Sequence, residues 1–331
     1  MPSPDPTSLP EAAGNENATL PLVVILGPTG VGKSEIAIEL AGRFNAEIVS
    51  ADSRLFYRGM DIGTAKPTKA ERQCLPHHLI DVAEPDETWS LGVFQREAHR
   101  TIREVFSKGY LPFLVGGTGQ FVRAISEGWS IPPVEPNMRL REALNRWAIE
   151  IGALQLHQKL AMLDPEAAGG IDPTNLRRTI RALEVILSTG RPFSAQRRRG
   201  VKFYNSLLIG LTCPRAELYR RIDERISEML EAGFVNEVRR LLEQGYSADL
   251  PTMSAIGYAE MVAYLHGKIT LDEAIRLMQH RTRRFVRRQA NWFKEDDPTI
   301  HWFQRGETTL DEMGLLIEKW LSSLNWHPDH L

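Results

Sequence analysis

At 331 residues the chain is long enough for about two units of compact structure and a large core. Its 42% hydrophobic and 25% charged residues are those of a globular protein in water, and no apolar run approaches the roughly 18 residues that a membrane span needs. Net charge is −2, so the average hides any polyanionic partner, and two distant cysteines, Cys74 and Cys213, cannot build a disulfide framework. Both are expected as free thiols in a reducing cytoplasm. Residues 1–20 are rich in Pro, Ser, Asn, Glu and Ala and lack Lys and Arg, which fits neither a secretory signal nor a basic transit peptide. A disordered tail is expected there.

The first regular element is the apolar run Leu22–Leu26, read as a strand. It runs into Gly27-Pro28-Thr29-Gly30-Val31-Gly32-Lys33-Ser34, and an amphipathic helix over 33–44 follows at once. A Gly-x4-Gly-Lys-Ser string between strand and helix is the phosphate-binding loop in its confirming context. Glycines let successive N–H groups point at an anion, and the helix N-terminus adds partial positive charge. Lys33 supplies a point charge for a terminal phosphate and Ser34 a hydroxyl for Mg²⁺.

A second strand, Glu47–Ser50, runs into Asp52-Ser53. Residues Gly59–Pro67 hold too many breakers for regular structure and read as an ordered loop. His78–Val82 reads as a strand. Ser90 caps a helix that Gly109 ends, and Leu111–Val115 is the next buried strand. Strands alternating with helices predict a parallel sheet covered on both faces. Past Trp129 the pattern turns helical, with starts expected at Asn137, Asp164 and Asp172. Strand character returns at Tyr204–Leu211. A long helical stretch follows Pro214, interrupted at Gly233 and Gly245, with further helices at 258–265, 271–294 and 309–323 and a strand at Ile300–Phe303.

Four constellations bear chemistry. Asp52 follows a strand on the edge where open α/β sheets bind ligands, either as a turn or capping residue or as a carboxylate beside the phosphate loop. The strand Leu111–Val115 ends in Gly116-Gly117-Thr118-Gly119, where phosphate-loop ATPases carry a metal-holding acid. That absence argues against motor, GTPase and generic ATPase readings and suggests a small ligand passing close to the backbone. Arg225 falls about 20° from Leu218 on the apolar stripe of its helix, so it either meets an anion or pairs internally. Arg281, Arg283, Arg284, Arg287 and Arg288 crowd one segment, and Arg177, Arg178, Arg181, Arg191, Arg197, Arg198, Arg199 and Lys202 another. Clusters this dense suit a phosphate backbone. Cys74 with His77-His78 lacks a second ligand pair and is not read as a metal site. Trp292 and Trp302 are expected in the core.

Together these residues resemble the bacterial tRNA dimethylallyltransferases, also called tRNA isopentenyltransferases. The resemblance runs from about Pro21 to Phe303. It rests on Gly27 to Ser34, Ser50-Ala51-Asp52-Ser53, Tyr57 to Asp61, and above all Asp61-Ile62-Gly63-Thr64-Ala65-Lys66-Pro67. Pro76 to Asp81, Val115 to Gly119, Arg178 with Arg181 to Val185, Ala255 to Tyr258, and Thr282-Arg283 with Arg287-Arg288-Gln289 and Trp292-Phe293 extend it. Leu55-Phe56, Gln120-Phe121 and Val286-Arg287 depart from the common pattern.

The resemblance implies an α/β fold: a P-loop NTPase-like parallel sheet core (21–128 and 201–331, the latter ending in a helical C-terminal part) with an α-helical insertion domain at 129–200. It implies that Gly27 to Ser34 hold dimethylallyl diphosphate with Mg²⁺ at Ser34, and that the insertion clasps a tRNA anticodon stem-loop. The N6 amine of the adenosine 3′ of the anticodon would attack the allylic C1. Asp52 matches the general base, Thr118 the hydroxyl on the amine, and Arg225 the pyrophosphate clamp. Asp52, Ser53, Arg54, Leu55, Thr118, Arg139, Arg177, Arg178, Thr179, Ile180, Arg181, Arg281, Arg284 and Arg288 match tRNA-contacting positions. A cytoplasmic monomer without membrane contact is expected. The rivals are a nucleotide or small-molecule kinase, which would turn over ATP, and a non-catalytic RNA-binding ATPase module.

Overall fold

The computed structural model describes residues 19–132, 134–196 and 202–326. The chain enters through strand β1 (Leu20–Leu26), helix α1 (Lys33–Arg43) and β2 (Ala46–Ser50), then α2 (Lys69–Cys74), β3 (His77–His78), α3 (Leu91–Ser107), β4 (Leu111–Gly116) and α4 (Gly119–Ser126). Five helices follow: α5 (Met138–Ile151), α6 (Ala153–Leu163), α7 (Pro165–Gly169), α8 (Leu176–Thr189) and α9 (Phe193–Gln196). The chain returns through β5 (Tyr204–Thr212), α10 (Arg215–Glu231), α11 (Phe234–Glu243), α12 (Tyr258–Leu265), α13 (Leu271–Gln289), β6 (Ile300–Gln304) and α14 (Thr309–Ser323). Among the described residues no helix is long and apolar enough to cross a membrane.

The six strands form one sheet in the order β3-β2-β4-β1-β5-β6, every pair parallel. Leu22 to Leu26 in the central strand are 0% exposed, which is why β1 reads as a continuous apolar run and not as an alternation. Helices α1 and α14 pack together on the sheet, as do α3 and α4; right-handed crossovers place the two pairs on opposite faces. From β1 the chain crosses to β2, on one side, whereas from β4 it passes on to β5, on the other. The divergence opens a crevice at the carboxyl ends of β1 and β4.

Leu144, Leu156, Leu160, Ile180 and Leu183 bury a second, separate cluster among α5, α6 and α8. Beside it the buried Glu184 carboxylate takes Arg141 Nε at 2.9 Å, Arg181 Nη1 at 2.6 Å and the Asn137 N–H at 2.7 Å. A carboxylate so fully bonded is held ionised, its pKa lowered by those donors against the opposing effect of burial.

Several local expectations are corrected. Leu20, assigned to the tail, already pairs with Tyr204 in β1–β5; residues 1–18 lie outside the described residues, as do Arg197, Arg198 and Arg199. The strand expected at His78–Val82 is only His77–His78, because Leu79 and Asp81 turn to φ 58° and 56°. Asp172 starts no helix: its carboxylate is spent on the Thr174 N–H and hydroxyl, and Asn175 caps α8 three residues on. Helix α13 ends at Gln289, five residues before the expected 294.

Phe56 and Phe121, both departures from the common pattern, stack with interplanar angles of 12° on each other and of 23° and 12° on Phe94. They are core partners, 0% and 6% exposed, whereas Leu55 and Gln120 face the crevice.

His99 on α3 bonds Tyr204 Oη at 2.6 Å, joining that helix to the start of β5. Burial, with Arg103 adding, pushes His99 down to about 4. The unfolded chain takes a proton near the ordinary pKa of about 6.5 while the folded chain refuses it, so stability falls as pH drops from about 6.5 toward 4, by up to about 3 kcal/mol. Thermal unfolding against pH checks this: His99→Gln removes that part of the acid loss, and an unchanged slope in the variant refutes it.

Candidate active site

The crevice is a cleft of about 1240 Å³ whose lining gathers residues from the carboxyl ends of β1, β2 and β4 and from α10 and α13. Its floor is the phosphate loop. Gly27 can carry no Cβ, which would lie 2.5 Å from the Leu211 carbonyl, and Gly32 takes φ 96° to turn the chain into α1. Three side chains from remote elements grip the loop's backbone. Gln289 Oε1 accepts the Thr29 N–H at 3.0 Å, Arg221 Nε donates to the Gly30 carbonyl at 3.0 Å, and Arg305 Nη1 to the Val31 carbonyl at 3.3 Å. The curl leaves Lys33 folded back onto the Pro28 carbonyl at 2.9 Å.

Burial pushes the Lys33 ammonium down to about 8; Asp52 opposes the shift and Arg225 adds to it. Arg225 is lowered for the same reason, burial first, with Asp52 raising it. Its guanidinium has one weak hydrogen bond, to the Thr64 carbonyl at 3.4 Å, and among the described residues no ion pair. Asp52, and at Arg225 also Glu228, offset part of the charge of these two desolvated cations, yet neither cation has an ion pair among the described residues, a setting that an anion would suit. The inward arginine read from the stripe of α10 therefore faces the cleft and not an internal acid.

Asp52 sits where β2 ends. Its Oδ1 accepts the Arg54 N–H at 3.0 Å, a local turn that leaves Oδ2 free among the described residues. Thr118, at the N-terminus of α4, holds this turn: its hydroxyl accepts the Ser53 N–H at 3.2 Å and reaches Ser53 Oγ at 3.5 Å. Asp52, Ser53, Arg54, Leu55 and Thr118 all line the cleft. The opposite wall is the Asp61–Pro67 loop. Glu237, 2% exposed, accepts the N–H groups of Asp61, Ile62 and Gly63 at 2.9, 2.7 and 3.2 Å and the Tyr258 hydroxyl at 2.7 Å. Lys66, also buried, bridges Asp61 at 2.6 Å and Asp81 at 2.5 Å. Those bonds place the Thr64 carbonyl against Arg225.

The glycine run after β4 makes room for protein, not for a small ligand, which corrects the sequence reading. A Cβ on Gly117 would lie 2.6 Å from Gln289 Nε2, and one on Gly119 would lie 2.2 Å from Trp292. Trp292 is only half-buried and lines the cleft, so it is not wholly a core residue.

The arginines divide. Arg284, Arg287 and Arg288 are exposed with no ion pair among the described residues, and Arg281, Arg284 and Arg288 edge a small side cavity of about 260 Å³. Arg281 already pairs with buried Glu260, and Arg283 with Asp223 while lying over the Tyr219 ring. On the helical insertion Arg139, Arg177 and Arg178 are exposed and lie outside the cleft. Thr179 and Ile180 are 0% and 5% exposed, and Arg181 is committed to Glu184 and the Val134 carbonyl. Direct RNA contact by Thr179 and Ile180 is therefore corrected: both face the core of the insertion. Sequence reading missed Gln289, Arg221 and Glu237 as parts of the site. The stripe on α13 had Gln289 facing inward, a polar residue on an apolar face, and that was the available signal.

The class this fold and site define is a phosphate-loop α/β protein whose cleft joins an anion cradle to a carboxylate and a hydroxyl. Residues 55–296 match the family described as IPP transferase. A tRNA dimethylallyltransferase of Roseiflexus sp. (strain RS-1) is 53% identical over 304 residues, 92% of this chain and 100% of that protein. The full-length tRNA isopentenylpyrophosphate transferase of Bacillus halodurans is 40% identical with a TM-score of 0.68, covering 92% of this chain and 98% of that one. A eukaryotic dimethylallyltransferase structure, described as acting on tRNA, is 25% identical with a TM-score of 0.79, over 92% of this chain and 80% of that one. The chain belongs to the IPP transferase family.

Because Lys33 loses its proton near pH 8, the cleft's positive charge falls as pH rises through that value. Inorganic pyrophosphate should bind tightest below pH 8 and progressively weaker above it by calorimetry, and Lys33→Arg should abolish that dependence. A wild-type affinity that stays flat through pH 9 refutes the assignment.

Proposed function

We propose that this chain transfers the dimethylallyl group of dimethylallyl diphosphate to the N6 amine of the adenosine 3′ of the anticodon in tRNA, releasing pyrophosphate. It is a tRNA dimethylallyltransferase, a prenyltransferase. The observation that carries the reading is the meeting, in one cleft, of the phosphate loop with Arg225 on one side and the Asp52–Thr118 pair on the other. A kinase needs an acid after β4 to hold its metal; here that space is filled by Gln289 and Trp292.

The chemistry follows from the charges. An exocyclic aromatic amine is a poor nucleophile, so forming its bond to C1 requires removal of a proton as positive charge develops on nitrogen. The free oxygen of Asp52 accepts that proton, and the Thr118 hydroxyl, fixed by Ser53, orients the amine. As the C1–O bond breaks, negative charge grows on the pyrophosphate, where Lys33, Arg225 and the loop N–H groups stabilise it. The adenine reaches this point by leaving its stack, as single-stranded loop recognition requires.

Mg²⁺ fits the site in a limited way. Ser34 is exposed at the first turn of α1, and its hydroxyl has no intramolecular partner among the described residues. No group of three or more His, Cys, Asp or Glu side chains there could cage a metal. A cation held by Ser34 and mostly by substrate phosphate oxygens is the usual arrangement for Mg²⁺. When bound it would supply further neutralisation of the leaving group.

Arg284 and Arg288, with Arg139, Arg177 and Arg178 on the insertion, form the RNA-facing cations; Arg281 joins them only partly, its charge being met by Glu260. The enzyme is read as a cytoplasmic monomer acting on the anticodon stem-loop.

Two variants separate chemistry from binding. Asp52→Ala should lower turnover by about 10²-fold or more while tRNA affinity is largely kept; retained turnover would sink the base assignment. Charge reversal at Arg284 and Arg288 should weaken tRNA binding and flatten its dependence on salt, and unchanged binding isotherms would refute it. Pyrophosphate should appear only when tRNA and dimethylallyl diphosphate are both present; ATP turnover without them would revive the kinase reading.

A further inference from the structure

Beyond Leu26 and Gly116 the ladder between β1 and β4 ends, and the two loops that carry the site part company. One carries the phosphate cradle. The other carries Thr118. Among the described residues, one side chain from α13 hydrogen-bonds to both. Gln289, 6% exposed, accepts the Thr29 N–H through Oε1 at 3.0 Å and donates from Nε2 to the Gly117 carbonyl at 3.0 Å.

Both halves of this amide are therefore committed, each to backbone, and each to a different half of the reaction. Thr29 lies in the cradle from which C1 would hang, and Gly117 precedes the threonine that would hold the amine. The joint also lies beside the point charge, since a Cβ on Gly117 would be 3.5 Å from Lys33 Nζ. A buried amide bonded to backbone at both its oxygen and its nitrogen ties the two loops together, and breaking it strands the Thr29 N–H and the Gly117 carbonyl.

We propose that Gln289 is a positioning residue, locking the phosphate loop to the Gly117–Thr118 peptide so that donor carbon and acceptor amine are held at one spacing. The proposal rests on the prenyl-transfer reading. Reacting atoms placed about 1 Å wrong can cost about 10²-fold in rate without loss of binding. Arg288 directly precedes Gln289 and Arg284 lies five residues earlier on the same helix, so the element that would meet the RNA backbone also closes this joint.

Gln289→Met keeps the length and burial of the side chain and removes both hydrogen bonds; Gln289→Ala removes the side chain as well. The measurement is single-turnover prenyl transfer with enzyme in excess over tRNA, whose rate constant does not depend on what fraction of the protein is correctly folded. Both variants should be slower by about 10-fold to 100-fold, with dissociation constants for tRNA and inorganic pyrophosphate within about threefold of wild type. A Gln289→Met rate constant equal to wild type overturns the proposal, as does a slowing matched by an equal loss of tRNA affinity. If Gln289→Met does not melt cooperatively, Gln289→Ala decides on the same terms. Absence of prenyl transfer by the wild-type enzyme would overturn the proposed function itself, which keeps the two failures distinct.

Discussion

Two cations, Lys33 and Arg225, are held facing the same cleft, each desolvated, with Arg225 raising the cost of the Lys33 charge. Asp52 offsets part of this. The remainder is an electrostatic debt that a diphosphate can settle, and the surrounding architecture serves to keep it unsettled until one arrives. The phosphate loop curls Lys33 onto Pro28, and the Asp61–Pro67 loop offers Arg225 only a carbonyl at 3.4 Å. A carboxylate in that place would form a buried pair and remove the attraction for an anion.

Keeping an irregular loop in place next to such a site requires that its own polar groups be satisfied elsewhere. Glu237 does this by accepting three consecutive backbone N–H groups and the Tyr258 hydroxyl, and Lys66 by joining Asp61 to Asp81. The same logic recurs in the helical insertion, where Glu184 gathers Arg141, Arg181 and the Asn137 N–H. Such networks are costly when incomplete and rigid when complete. Each is complete here, and each lies just behind a surface where, under the proposed function, a substrate would press.

The carboxyl edge of the sheet shows how sequence departures are absorbed. Phe56 and Phe121 face each other in the core rather than the cleft, their rings stacked at an interplanar angle of 12°. Leu55 and Gln120, their neighbours, remain on the cleft wall. Differences from relatives at these four positions therefore divide into packing pairs and cleft-facing side chains.

By itself the sequence determined the phosphate loop, the parallel α/β sheet, the helical region past Trp129, the placing of Asp52 at the binding edge and the inward turn of Arg225, because each rests on local spacing: glycines in a fixed register, strands read as apolar runs, and an arginine inside a stripe of period 3.6; that Arg225 faces the cleft came from the structure. Thr179 and Ile180, matched to RNA-contacting positions by resemblance, are buried in the insertion. What only the tertiary structure decided is which charges are free. Arg281 and Arg283 look equivalent to Arg284 and Arg288 in a basic run, but their acids come from packing: Glu260 and Asp223 lie 21 and 60 residues away. The use of glycines after β4 was likewise undecidable locally, since the side chains that fill the space, Gln289 and Trp292, are separated from Gly117 and Gly119 by most of the second half of the chain. Neutralisation and close packing depend on distance in space, and spacing along the chain carries no record of it.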